Sequence, residues 1–280
     1  MRFAVTMLLW LLTTAGLAVA LPTAWAQTHI IDVNGYAAMA KRAAGDPALQ
    51  AAVASELTTR AMVLINQRGY KVDSSTVHDV AAGFTAGPDF PPQFADANRM
   101  AHSWMFTGAN AQSQGDQWVV DLSGMLKDSA FTAMLSNYHV QVPETLRVPV
   151  TVTTPKVLQP GKLRLLATWG PWVSIAAAGL TGICALLTLI VARSRGRALA
   201  GLGISALLVG AGGWAAIEVG RRRINDALND TTGDIRRIAD VMVGQAESSL
   251  HQWLDLTLAA GGALVALGVL AAMLGSLRKA

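Results

Sequence analysis

The residues whose types and spacing come nearest to chemistry are Asn98, Arg99 and His102. On a helix, Asn98 and His102 stand one turn apart, with Arg99 beside them. An imidazole moves protons, a guanidinium holds an anion and an amide orients a carbonyl, so the three make a candidate polar site. A histidine tied to a neighbouring polar group for structural reasons is the simpler reading. The other histidines, His29, His78, His139 and His251, are scattered and lack metal-ligand spacing. Asp116 and Asp121 flank an expected strand too far apart to form an acid–base pair unaided, and Asp128 reads as capping or solvating a helix rather than catalysing. There is no G-x-S-x-G, no H-E-x-x-H, no phosphate-cradling glycine loop and no cysteine–histidine zinc spacing. The expectation is a non-enzymatic protein with no catalytic, cofactor-binding or metal-ligating residues.

The elements around these residues emerge from where charge is missing. Only 14% of the 280 residues are charged, against about a quarter in a soluble domain. The deficit falls in blocks: no charged side chain lies between Arg2 and Asp32, Arg164 and Arg193, Arg197 and Glu218, or Asp255 and Arg278. Each block is long enough for the roughly 20 residues that cross a bilayer as a helix. The net charge of +4 does not signal nucleic acid, because residues 27–168 carry 11 acids and 11 bases. The excess sits beside the apolar blocks, where Lys and Arg orient spans and meet lipid headgroups. The one cysteine, Cys184, lies inside an apolar block, so no intramolecular disulfide forms.

Arg2, an apolar run from Phe3 to Leu21, and Ala24-Trp25-Ala26 before Gln27 describe residues 1–26 as a signal peptide or an uncleaved signal anchor. Either exports the segment from Thr28 to Arg164. Transmembrane helices are expected over 171–192, 198–217 and 256–275, with Arg193, Arg195 and Arg197 in a cytoplasmic turn. The protein is thus expected in the cell membrane, multi-pass, with its main domain extracytoplasmic and its C-terminus cytoplasmic. Trp25, Trp169, Trp172, Trp214 and Trp253 all fall at outer ends of spans in this arrangement, as a headgroup belt would. Arg221, Arg222 and Arg223 oppose it, since they fall outside, in a linker that also carries six acids.

No ionisable residue lies within the three C-terminal spans, which argues against an ion-coupled carrier. What recurs is small residues: Gly203, Ala206, Gly210 and Gly213 share one face of the middle span, and Gly261, Gly268 and Gly275 repeat every seven residues in the last. Such seams let helix backbones approach closely, within a compact bundle or against a separate membrane partner. Between these spans, residues 221–253 read as an extracytoplasmic amphipathic helix. Ile224, Leu228, Thr231, Ile235, Ile238, Met242, Gln245, Ser249 and Trp253 form its coiled-coil-like stripe. It would pack on the exported domain, lie in the membrane interface, or pair with a copy of itself through residues 224–253.

Residues 27–165 are expected to form an α-rich exported domain with a small β element. Asp46-Pro47 opens a helix whose face carries Leu49, Val53, Leu57, Ala61 and Leu64 until Gly69. A second helix comes after Ser74-Ser75 and ends near Gly87-Pro88. A third runs from Asp89 to Gly108 with Phe94, Ala97, Ala101 and Trp104 on one side, and Lys127–Ser136 reads as a fourth. Residues 117–122 and 146–152 alternate as strands, with Pro149 demanding an edge.

The helix Phe90–His102, written Phe-x-x-x-Phe-x-x-x-Asn-Arg-x-x-His, resembles a group of uncharacterised actinobacterial membrane proteins. So do the strands at Asp116–Leu122 and Val148–Val152 and the spans joined through Arg193–Arg197. The resemblance covers most of the chain and implies an N-terminal signal or anchor, a helical exported domain, C-terminal spans and a high-GC Gram-positive type of envelope. The group has no assigned activity, so no catalytic residue is carried over. The expected function is a cell-envelope protein whose exported domain binds or scaffolds another envelope component. The alternative is an accessory subunit or sensor relaying through the linker helix and spans. The expected partners are the bilayer and a membrane or envelope protein, with no cofactor and no nucleic acid.

Overall fold

A computed structural model describes residues 2–67, 69–107, 119–121, 123–137, 139, 141, 144, 147–149, 163–228 and 233–277. The chain is mainly α-helical and divides into two units. The first comprises Met1–Thr28, Thr168–Arg223 and Glu247–Ala280; the second comprises His29–Ala167 and Ile224–Ala246.

The chain begins with α1, Arg2–Ala26, in the first unit. A π-helical turn, Gln27–Ile31, leads into the second unit, whose helices have legible ends. The Asp32 carboxylate accepts from Gly35 N at 2.7 Å and caps α2, Val33–Ala43, a helix absent from the sequence expectations. α3, Pro47–Gln67, starts with proline at its first position, where no N–H is needed, and Asp46 accepts from Ala48 N. Gly69, at φ +79°, turns the chain after it. Asp73 caps α4, Ser74–Thr85, through Ser75 N, and α5 runs Phe90–Thr107. A short helix absent from the sequence expectations, α6, Ser123–Leu126, precedes the fourth expected helix, Lys127–Ser136, which is present as α7, Ser129–Ser136. Asp128 lies between them because its carboxylate accepts from Ala130 N, which starts a new helix there.

The two short segments β1, Val119–Asp121, and β2, Arg147–Pro149, pair antiparallel, with Val120 opposite Val148. Trp118, Leu122, Leu146, Val150, Val152 and Asp116 lie outside the described residues.

Large apolar side chains fill the second unit. Leu49, Val53, Leu57, Ala61 and Ile65 of α3 are buried at a strict four-residue stride; Ile65, not Leu64, continues the buried line. Phe84 meets the rings of Phe90 and Phe131 edge-on at 5.8 and 5.7 Å, the arrangement that ring quadrupoles favour.

Four helices are long and apolar enough to cross a membrane, which fits a multi-pass membrane protein. They are α1; α8, Arg164–Val191; α9, Arg195–Ala227; and α10, Gly233–Leu277. α8 begins seven residues before the expected span, and Pro171 lies inside it rather than at its start. Leu165, Leu166 and Ala167 are good helix formers, and the proline forgoes a single N–H bond in the first turns.

The amphipathic linker also differs from expectation. Residues 221–227 finish α9 and residues 233–253 begin α10, while residues 229–232 of the expected helix, Thr231 of its stripe among them, lie outside the described residues. Asn229-Asp230-Thr231-Thr232-Gly233 is a run of poor helix formers, and Gly233 has φ +66°. Downstream no signal stops the helix, so α10 continues for 45 residues. Its part up to Ala246 belongs to the second unit and the rest to the first.

Candidate functional site

Within the second unit, α5 carries the three residues expected to form a polar site, and the structure gives each a different partner. Asn98 turns its amide back to the Phe94 carbonyl oxygen at 2.9 Å, one turn earlier. Arg99 is exposed and pairs with Asp96 on its own helix, an arrangement worth a few tenths of a kcal/mol. His102 alone is buried, at 4% exposure.

His102 is held from a distance in sequence. Its Nε2 lies 2.9 Å from the Ile30 carbonyl oxygen in the π-helical turn. A carbonyl only accepts, so Nε2–H donates. Phe106 stacks on one side, 4.2 Å between centroids and 17° between planes, and Tyr36 of α2 approaches at 5.3 Å. Desolvation pushes the imidazole pKa below its usual 6.5, against the carbonyls of Ile30 and Ile31 and the Asp32 carboxylate, which favour the proton. Burial likewise raises the Tyr36 hydroxyl to about 12. Both groups are therefore neutral near pH 7. A neutral imidazole between two rings, donating to a main-chain carbonyl, ties α5 to the turn that precedes α2. No local sequence pattern marks Tyr36 or Ile30 as its partners, since they lie 66 and 72 residues away.

The other titratable candidates are dispersed. His78 Nδ1 lies 3.4 Å from the Thr58 hydroxyl, and the His251 ring lies tilted against Trp214, 3.9 Å between centroids. Among the described residues no group of three or more His, Cys, Asp or Glu side chains is placed to hold a metal ion.

In the first unit the glycine seam becomes a helix interface. A Cβ added to Gly203 of α9 would stand 2.6 Å from the Gly261 carbonyl oxygen and 2.7 Å from Val265 N of α10. One added to Gly261 would stand 2.9 Å from the Gly203 carbonyl oxygen. Gly268 abuts Gly196 and Ala200 in the same way, and Gly210 and Gly213 receive the side chains of Leu258 and Leu254. Gly275 falls near the end of α10. Real Cβ atoms do not approach backbone so closely, so hydrogen is the only side chain that fits at Gly203, Gly261 and Gly268. The seam is filled from within the chain.

The rest of the bundle interface is hydroxyl-rich, a feature that no sequence motif announces. Ser174, Thr181, Cys184 and Thr188 are the buried residues of α8, and Ser205 of α9 is fully buried. Thr181 and Thr188 donate to carbonyls one turn back, at 2.7 Å, which satisfies each hydroxyl within its own helix. At the far end of α9, the Trp214 indole N–H donates to Asp255 Oδ1 at 3.3 Å. The large apolar residues face away: Leu165, Trp172, Ile175 and Ile190 of α8 are each about two-thirds exposed or more.

Comparison with protein-family models, with curated proteins and with solved structures finds no match to this chain.

Proposed function

We propose that the chain is a non-enzymatic membrane protein of a cell envelope whose second unit lies outside the cytoplasm and binds or scaffolds another envelope component. The observation that carries this reading is the engagement of that unit's candidate reactive groups. Asn98 bonds its own helix, Arg99 pairs with Asp96, His102 pins the turn before α2, and Asp128 caps α7. Each is occupied in holding the fold, and a neutral His102 between two rings is poorly placed to meet a substrate.

Orientation draws on charge and tryptophan. Exposed Arg193, Arg195 and Arg197 surround the short turn between α8 and α9, suited to the cytoplasmic side. Trp169 and Trp172 near the start of α8 and Trp214 towards the end of α9 are exposed, as headgroup-level indoles would be. Glu218 lies 3.5 Å from Arg222 and offsets part of the opposing charge.

Purification of the tagged full-length chain in mild detergent tests the reading. Stoichiometric recovery of a cell-wall polymer, a glycolipid or an exported protein supports it. A His102→Ala chain of normal abundance and melting temperature that nonetheless loses cellular function would overturn it.

A second reading, an accessory subunit that relays an outside event, is favoured by α10. Ile238, Val241 and Met242 of its early turns pack against the second unit's core, and the same unbroken helix continues into the first unit. That packing also occupies part of the stripe that would otherwise serve self-association through residues 224–253. Recovery of an integral membrane partner instead of an envelope component favours this second reading.

A further inference from the structure

We infer that α1 is not removed during export but stays as a permanent fourth helix of the membrane bundle. An export signal that is cut away needs only to be apolar; its faces need not differ. α1 has two distinct faces. Phe3, Met7, Leu8, Leu11, Leu12 and Val19 point away from the protein, while Thr13 and Ala20 are buried and Trp10, Thr14 and Gly16 turn inward with them. Positions 10, 13, 14, 16 or 17, and 20 keep the helical period of a packed stripe. Most of its members are small or hydroxylic, as helix interfaces in lipid require.

The inward face meets specific partners within the first unit. The Trp10 indole N–H donates to the Gly201 carbonyl oxygen at 2.8 Å, and the Thr14 and Ser205 hydroxyls lie 2.7 Å apart. A Cβ on Gly16 would stand 2.5 Å from Thr181 Oγ1, so α1 and α8 touch where one of them has no side chain. Ser205, the partner of Thr14, is fully buried. Without α1, Ser205 would lose its partner Thr14 and keep only the 3.3 Å bond from its hydroxyl to the Gly201 carbonyl oxygen in its own helix.

The cleavage triplet is also badly presented. Ala24, Trp25 and Ala26 are the last residues of α1, and the chain continues directly into the π-helical turn. A peptidase that grips its substrate as an added extended strand finds these backbone groups inside a helix. The Trp25 indole N–H reaches Ser249 Oγ of α10 at 3.3 Å, which holds that last turn in place.

The test uses the full-length chain with a C-terminal tag, purified from membranes. Intact mass is expected to match a chain that retains residues 2–26, and a mature chain beginning at Gln27 would overturn the inference. Gly16→Leu separates packing from mere retention, because leucine keeps the segment apolar enough to be inserted. The variant is expected to melt several degrees lower in detergent; an unchanged melting temperature in an uncleaved chain would overturn the packed seam. Should that variant fail to accumulate, Thr14→Cys with Ser205→Cys in a Cys184→Ser background is expected to form a crosslink on mild oxidation. Absence of that crosslink in a chain of wild-type melting temperature would overturn the inference equally.

Discussion

The two units are built inside out relative to one another in composition. The second buries Phe84, Phe90, Phe131, Leu49, Leu57 and Leu126 and keeps most polar side chains at its surface. The first buries Ser174, Thr181, Thr188 and Ser205, brings Gly203 against Gly261, and exposes Leu165, Trp172, Ile190 and Leu267. Water drives apolar groups inward because their burial releases solvent. Lipid tails are as apolar as leucine, so they provide no such drive, and helices associate through close backbone approach and satisfied hydroxyls. The contrast fits a multi-pass membrane chain that meets the demands of two solvents.

That contrast can be broken by mutation, and the largest effect is expected where the hydrophobic drive acts. Phe131→Ala removes a fully buried ring and is expected to destabilise the second unit by about 3–5 kcal/mol, read by hydrogen exchange of α4 and α7. Next in size is a charge on the lipid-facing surface. Ile183 is 56% exposed on α8, and Ile183→Asp is expected to oppose membrane insertion by about 2.5–3.5 kcal/mol. Val63→Asp, at a similarly exposed site on α3, is expected to change stability by under about 0.5 kcal/mol. Equal effects of the two substitutions would end the two-solvent account.

Gly203→Leu should cost about 1–3 kcal/mol by overpacking. Gly262→Leu on α10, where a Cβ meets nothing within 4 Å, serves as its control. Detergent melting of the pair decides whether close approach or glycine content matters.

A smaller effect is expected from pH. The folded state prefers neutral His102, so its folded pKa lies below the ordinary 6.5. The stabilisation is full above 6.5 and is lost as the pH falls from there through the lowered folded value. Melting temperature between about pH 7.5 and 5 should therefore decline with acidity, and His102→Phe should flatten that part of the profile.

Much of the local structure is legible in the residues. Asp46-Pro47 announces a helix start because a cap bonds within three residues of itself, whereas the cap of α4 is Asp73, one residue ahead of the Ser74-Ser75 signal read from the sequence. The glycines of α9 and α10 announce a seam because their spacing is helical. The candidate site is legible only as a pattern on α5. Asn98, Arg99 and His102 share a stretch of helix, yet their partners are Phe94, Asp96 and Ile30, and only the first two are local. The linker stripe reads as one helix because its periodicity runs across Asn229–Gly233, where backbone preference opposes it; α9 is described to Ala227 and α10 from Gly233.

By itself the sequence determined where the chain is uncharged, where some of the helices start, and which helical faces are small. Those properties depend on neighbours within a few residues. Only the tertiary structure decided that Gly203 meets Gly261, that Thr14 meets Ser205 and that His102 meets Ile30. A small residue states that something comes close but not what, and a buried donor states that it needs an acceptor but not which. Those choices belong to the packing of whole elements, because only packing brings distant residues within bonding distance.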